Sequence, residues 1–244
     1  MAAAKRRNKK SSSKKPANGP PPEPVGIVAA ISTIPRPSEL HREAVALHVM
    51  EAIRRARVRT FSYARRDGHA LFRLDRGNGD WLKIVFDAGR HLVLGFDHES
   101  PISPFQVGHL WPGLYEGLPD DLRPFVLAPD GEEAFAESES GPAVFAAATF
   151  AAWWTEGHWT HGALTLPELD VFDSDGAELL LSCMTPRIKL IEEGGWDAGL
   201  VARIERHEPL DDATIRALHR DADVSAVREA MRTSGYGAPF PFAE

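Results

Sequence analysis

The chain has a single cysteine, Cys183, in 244 residues. No disulfide can form within it, so its fold must rest on an apolar core. Cys183 stands in the apolar run Leu179–Met184 and reads as an inert core thiol rather than a nucleophile. The absence of disulfides fits a reducing cytoplasm. Long apolar runs are missing too, and nothing approaches the ~18–20 residues that span a bilayer. The stretch Val25–Ile31 follows basic residues, as in a signal peptide. Pro20-Pro21-Pro22-Glu23-Pro24 separates it from them, however, and no small-residue cleavage site follows. It is expected to be an early strand or a packed extended segment, and the protein to be cytoplasmic. No GxGxxG, GxxxxGK, GxSxG or CxxC pattern occurs, which removes the usual signals for a phosphate cradle, a nucleophile elbow or a thiol pair. Lysine is scarce beyond the first 24 residues, where only Lys83 and Lys189 remain. Arginine and alanine dominate there, as in proteins coded by GC-rich bacterial genomes.

Charge is plentiful and unevenly placed. Residues 1–24 hold Lys5, Arg6, Arg7, Lys9, Lys10, Lys14 and Lys15 against Glu23, a net +6. With −7 for the whole chain, residues 25–244 carry −13. The arm is Lys, Arg, Ser, Pro and Gly without hydrophobic periodicity, so it cannot offset its own ordering entropy and is expected to be disordered. It is either a solubilising extension or a salt-dependent contact for nucleic acid or another anionic surface. Residues 25–244 are expected to form a single α+β domain. At 43 % hydrophobic content, a domain of that size buries roughly 70 % of its unfolded surface.

The expected fold is an antiparallel β-meander packed with several helices. Leu40, Val45, Leu47, Val49, Met50 and Ile53 make a helical stripe between Ser38, a candidate N-cap, and Arg59. Arg54, Arg55, Arg57 and Arg59 complement its C-terminal dipole. His69–Leu74, Trp81–Asp87 and His91–Asp97 are short hydrophobic runs separated by Gly- and Asn-bearing turns, the pattern of consecutive hairpins. Residues 98–142 are rich in proline and acids and read as loop. Pro142 is expected to open a helix through Val144, Phe145, Ala148, Phe150, Ala151 and Trp154. Ser174-Asp175-Gly176 reads as a turn, and residues 176–183 and 187–191 as short strands. Residues 198–206 are a strand or a helix, and helices start near Asp211 and at Asp223. The last residues, from Gly237, read as extended.

Four constellations bear on function. The first is Asp97-His98-Glu99-Ser100, where a strand runs into a Pro-rich loop. Its carboxylates could divide acid and base roles or bind a hard cation; the plainer reading is that Asp97 and Ser100 cap a turn while Glu99 is solvated. The second is His158-Trp159-Thr160-His161, whose histidines at i, i+3 would share one face of a helical turn and could ligate zinc. Asp97, Glu99, His91 or His109 would be the further ligand, and Gly157 and Gly162 argue against a continuous helix. Third, Trp153, Trp154 and Trp159 either stack on a partner or fill a core, with Trp159 expected to be partly exposed. The fourth is the pair of acidic stretches Glu116–Asp121 and Asp130–Glu139, a solvated surface or the complement of a basic partner.

The leading reading is a non-enzymatic bacterial interaction protein with no cofactor, whose acidic loops meet a basic protein through Asp97, Glu99, Glu116, Asp120 and Asp121. In general character it is similar to immunity proteins that occupy the active sites of basic nuclease toxins, an analogy of class rather than of residues. A metal-dependent hydrolase built on Asp97, His98, Glu99, His158 and His161 is the second reading. A nucleic-acid-tethered adaptor using the basic arm is the third.

Overall fold

A computed structural model describes residues 26–54, 60–66, 68–138, 140–166, 175–184, 191 and 194–243. The basic arm, Arg55, Arg57, Arg59, Glu139, Ser174 and residues 187–190 of an expected strand lie outside the described residues.

The centre of the fold is a six-stranded sheet in which every neighbour in space is also the neighbour in sequence. Its strands are β1 (Phe61–Arg66), β2 (His69–Asp75), β3 (Trp81–Asp87), β4 (Arg90–Phe96), β5 (Phe150–Thr155) and β6 (His158–His161). All pairs are antiparallel. The β5–β6 turn shows how local sequence sets a hairpin: Glu156 and Gly157 have φ of 52° and 83°, the two left-handed residues that match the twist of the flanking strands.

The two faces of the sheet are covered differently. Phe61, Tyr63, Phe72, Leu74, Ile84, Phe86, Val93, Phe150, Trp154 and Trp159 face the helices. Those are the short α1 (Ile27–Ala30), the long α2 (Pro37–Arg54), α4 (Ala177–Ser182), α5 (Ala198–Glu205), α6 (Asp212–Leu218) and α7 (Val224–Ser234). The other face presents Val85, Leu92, Leu94, Ala151 and Trp153 to Leu110, Leu114, Tyr115, Leu118, Leu122, Val126, Phe135 and Phe145. That cover comes from residues 97–149, which leave β4 and return to β5. It holds the one-turn helix α3 (Pro104–Val107), a 3₁₀ turn at Arg123–Phe125 and bridges from Phe145 to Leu127 and Phe135.

The α+β meander matches the expectation, and β2, β3 and β4 fall where the alternating runs put them. The amphipathic α5, α6 and α7 begin with carboxylate caps from Asp197, Asp211 and Asp223. Five elements differ. β1 and β6 form strands where none was expected. The helix expected from Pro142 is instead bridged loop followed by β5. Residues Phe150–Trp154 are buried on both faces, and a doubly covered strand loses the period of two that would mark it. Residues 177–182 are helix α4 rather than a strand, consistent with Ala, Glu and Leu being strong helix formers with weak β preference. The segment after Gly26 is also helical, α1 followed by a 3₁₀ turn at Ile31–Thr33, because Asp175 Oδ2 accepts the Ile27 N–H at 2.8 Å and starts the turn.

Candidate functional site

At one end of the sheet, β4 stops at Phe96 and the chain turns at once: Ser100 N–H donates to the Asp97 carbonyl. Asp97 Oδ1 accepts from Glu99 N–H at 2.9 Å, and Ser100 Oγ from Ile102 N–H at 3.2 Å. Asp97 and Ser100 therefore act as turn formers, and Glu99 projects into solvent with 84 % of its side chain exposed. The β2–β3 hairpin supplies a neighbour that sequence spacing does not announce. Asp80, only 2 % exposed, takes His98 N–H at 3.0 Å and His98 Nδ1 at 2.6 Å on Oδ1. Its Oδ2 takes Arg76 Nη1 and Asn78 Nδ2, both at 2.8 Å. Burial works against the Asp80 charge, but the donors from His98 and Asn78 outweigh it and hold the carboxyl below its usual range. The same bond to Asp80 raises the His98 pKa above the ordinary imidazole value.

Among the described residues, Asp80, Asp97 and His98 form a group of three whose ligating atoms lie within 4.8 Å of one another. Both Asp80 oxygens are already engaged by four N–H donors, His98 Nδ1 among them. A cation would have to displace those donors, so the chemistry of the set suits a carboxylate–imidazole pair pinning two loops together. Behind it lies a second polar junction. Asp97 N–H donates to Thr149 Oγ1 at 3.1 Å, and that hydroxyl donates to the Asp175 carbonyl at 2.6 Å. Asp175 Oδ1 takes Ala177 N–H while Oδ2 holds Ile27, so one fully buried carboxylate starts both α1 and α4. Gly176 is packed so closely that a Cβ there would lie 2.4 Å from the Cβ of Asp97.

The second histidine cluster does not join the first. His158 and His161 lie on β6, a strand, where residues three apart point to opposite faces. The shared face expected from i, i+3 spacing is thus absent. His161 pairs with Ala152, which pairs with Val93. That places His161 two strands across and four residues down from Asp97, roughly 15 Å away or more. The structure therefore keeps Asp97, His98 and Glu99 apart from His158 and His161, and the converging metal centre expected from sequence is corrected on that geometry. His91 is buried on the helix side, with Nε2 at 3.0 Å from the Ala243 carbonyl, and His109 Nδ1 meets the Leu110 carbonyl. The tryptophans are core residues. Trp153 packs under the loop layer, and Trp154 and Trp159 pack edge to face at 5.5 Å on the helix side. Trp159 is 9 % exposed, buried rather than partly exposed, with Nε1 donating to the Pro35 carbonyl at 2.7 Å.

The residues assigned to a partner surface separate into two groups. Asp97 is buried and structural. Glu99, Glu116, Asp120 and Asp121 are exposed, and Glu132, Glu133 and Glu137 join them on the outside of the loop layer. Two arginines brace this surface: Arg90 pairs with Asp121, and Arg123 reaches Asp120 at 3.3 Å and Glu137 at 3.9 Å. Beneath the layer, the Lys83 ammonium donates to the Phe125 carbonyl at 2.6 Å. Burial, then the Arg73 charge, lowers the Lys83 pKa.

Sequence reading missed His41, which lies on α2 against β1. Its Nε2 is 2.8 Å from the Tyr63 hydroxyl, and Phe86, Phe240 and Phe242 surround the ring. A histidine within an apolar helical stripe was the available signal. Among the described residues, no helix is long and apolar enough to cross a membrane. Compared with protein-family models, curated proteins and solved structures, the chain matches none.

Proposed function

We propose that this chain is a non-enzymatic interaction protein that docks a basic protein partner on the outer surface of the layer formed by residues 98–149. One observation carries the reading. Between His98 and Thr149 the sequence holds nine acids and a single arginine, Arg123, with no lysine. The inner side of the same layer is apolar and spent on the sheet, and all eight of these acids among the described residues are exposed on the outside. Concentrated charge of one sign repels itself in the free protein, and a basic surface that meets it gains both association rate and register. The immunity-like analogy belongs here as well, since a protein of that kind neutralises a basic enzyme by covering it.

Native mass spectrometry on the full chain, isolated from its host at low salt, tests the reading. A Glu116→Gln/Asp120→Asn/Asp121→Asn/Glu137→Gln variant is carried in parallel, with circular dichroism to verify its fold. The wild-type chain is expected to retain a protein of basic composition. In the variant, that association should be slower and less sensitive to salt. A wild-type chain that holds nothing, or a partner held equally by both, overturns the proposal.

A further inference from the structure

The last described residues lie as a strap on the helix side of the sheet, opposite the acidic layer. Gly235 and Gly237, with φ of 73° and 80°, turn the chain off the end of α7. Pro239 and Pro241 have no N–H to give. Among the described residues, no backbone–backbone hydrogen bond holds 239–243. Side chains hold the segment instead, among them three histidines from separate parts of the fold. His207, just after α5, donates from Nε2 to the Arg42 carbonyl at 2.9 Å and accepts Gly237 N–H on Nδ1 at 3.4 Å. His41, on α2, packs its ring against Phe240 at 5.2 Å and Phe242 at 5.9 Å. His91, on β4, packs against Phe240 at 5.8 Å and donates from Nε2 to the Ala243 carbonyl at 3.0 Å. Phe242 also stacks on Phe86, with the Arg65 guanidinium 5.6 Å from its ring centre.

We infer that residues 238–243 are an acid-released strap: they lie closed over neutral His41 and His207, and protonation of those two rings frees them while the sheet and α2 stand. Both histidines line a cavity of about 210 Å³ between α2 and the strap, with Glu39, Arg42, Ala238 and Phe240. The charges around them are mostly positive. Arg65 on β1 and His91 on β4 act on His41 together with His207, and Arg42 of α2 acts on His207. Glu39 is the only acid among the residues lining the cavity. Tyr63 on β1 and Tyr236 beside His207 stay neutral, because burial raises both. Protonated at Nδ1, His207 becomes a donor facing the Gly237 N–H, and that bond is lost. A charge on His41 stands among aromatic rings that the closed strap keeps from water. Burial lowers His41 from 6.5 to about 4 and lowers His207 as well. Below pH 6.5 the closed form therefore holds fewer protons than the open one. Each further unit of pH favours opening by up to about tenfold per histidine. The strap yields before the sheet because it takes no part in the ladders that hold the strands.

Backbone-amide NMR relaxation of the full chain at pH 7.5, 6.5, 5.5 and 4.5 tests the inference. The Phe240, Phe242 and Ala243 amides are expected to be as rigid as those of β3 at pH 7.5 and mobile by pH 4.5, with β3 and β4 rigid throughout. A His41→Gln/His207→Asn variant, in which Asn suits the φ of 56° at that position, should keep the strap closed at pH 4.5. Phe242→Ala, which removes no titratable group, should free the strap at every pH and leave the sheet amides unchanged. Imidazole resonances of the wild type give a measure that needs no variant: release should coincide with the midpoint of His41 or His207, between pH 6.5 and about 4. A strap rigid at pH 4.5, mobile already at pH 7.5, or freed only together with the sheet overturns the proposal. So does release at a pH that matches neither imidazole, or release unchanged in the double variant.

Discussion

The buried imidazole of His41 makes stability depend on pH in a way that one substitution can isolate. The residue is 6 % exposed, its Nε2 lies 2.8 Å from the Tyr63 hydroxyl, and four aromatic rings stand within 6 Å of its own. Burial, followed by the charges of His207, Arg65 and His91, lowers its pKa from 6.5 to about 4. The folded protein thus keeps the ring neutral where the unfolded chain protonates it. Between pH 6.5 and 4 the unfolded state binds more protons, and stability falls as pH falls. At about 1.4 kcal/mol per pKa unit, this group removes about 3 kcal/mol once the pH is well below 4, and roughly 2.5 kcal/mol by pH 4.5. His41→Gln keeps a hydrogen-bonding amide near Tyr63 and does not titrate. Urea unfolding of both proteins at pH 7.5, 6.5, 5.5 and 4.5 gives two curves, and their difference cancels the other ionisable groups. The wild type is expected to lose about 2–3 kcal/mol more than the variant between pH 7.5 and 4.5. Parallel curves over that range would refute the account, as would an imidazole NMR titration placing the His41 midpoint near 6.5.

Other consequences are equally direct. Asp80→Ala removes the acceptor that holds His98 to the β2–β3 hairpin; unfolding should become easier by about 1–3 kcal/mol, and the His98 NMR midpoint should drop toward the ordinary imidazole value. An unchanged midpoint would show that the pair does not exist in solution. Gly95 lies under the Phe150 ring, where a Cβ would sit 2.2 Å from two ring carbons. Gly95→Ala should therefore cost about 1–3 kcal/mol, measured by urea unfolding. Adding Phe150→Leu should recover part of that loss, because the two sites share one contact.

How much of the molecule could be read in advance depended on what each element faces. α2 and the β2–β4 meander carry their own signatures: an apolar stripe at helical spacing, and alternation broken by Gly and Asn turns. β5 carries none, because Phe150–Trp154 are buried between two layers and any apolar residue suits either side. The turn at Asp97 and Ser100 was legible from residue type alone, as was the exposure of Glu99. Asp80 was not, since an aspartate in a hairpin turn looks solvated until His98 lies above it. Likewise, i, i+3 histidines are one cluster on a helix and two separate residues on β6, and the spacing does not say which.

The sequence by itself determined the separation of charge along the chain, the acidic composition of residues 98–149, the starts of α6 and α7, and the meander at the centre. These follow from local rules, in which backbone preference, turn chemistry and one-sided burial are written into neighbouring residues. Tertiary structure alone decided that the acidic stretch covers a sheet face, that Asp97 is buried while Glu99 is not, and that Asp175 starts both α1 and α4. Only the fold brings His41, His91 and His207 together under residues 237–243. Those outcomes depend on groups distant in sequence meeting in space, and a contact of that kind leaves no periodicity in either segment that makes it.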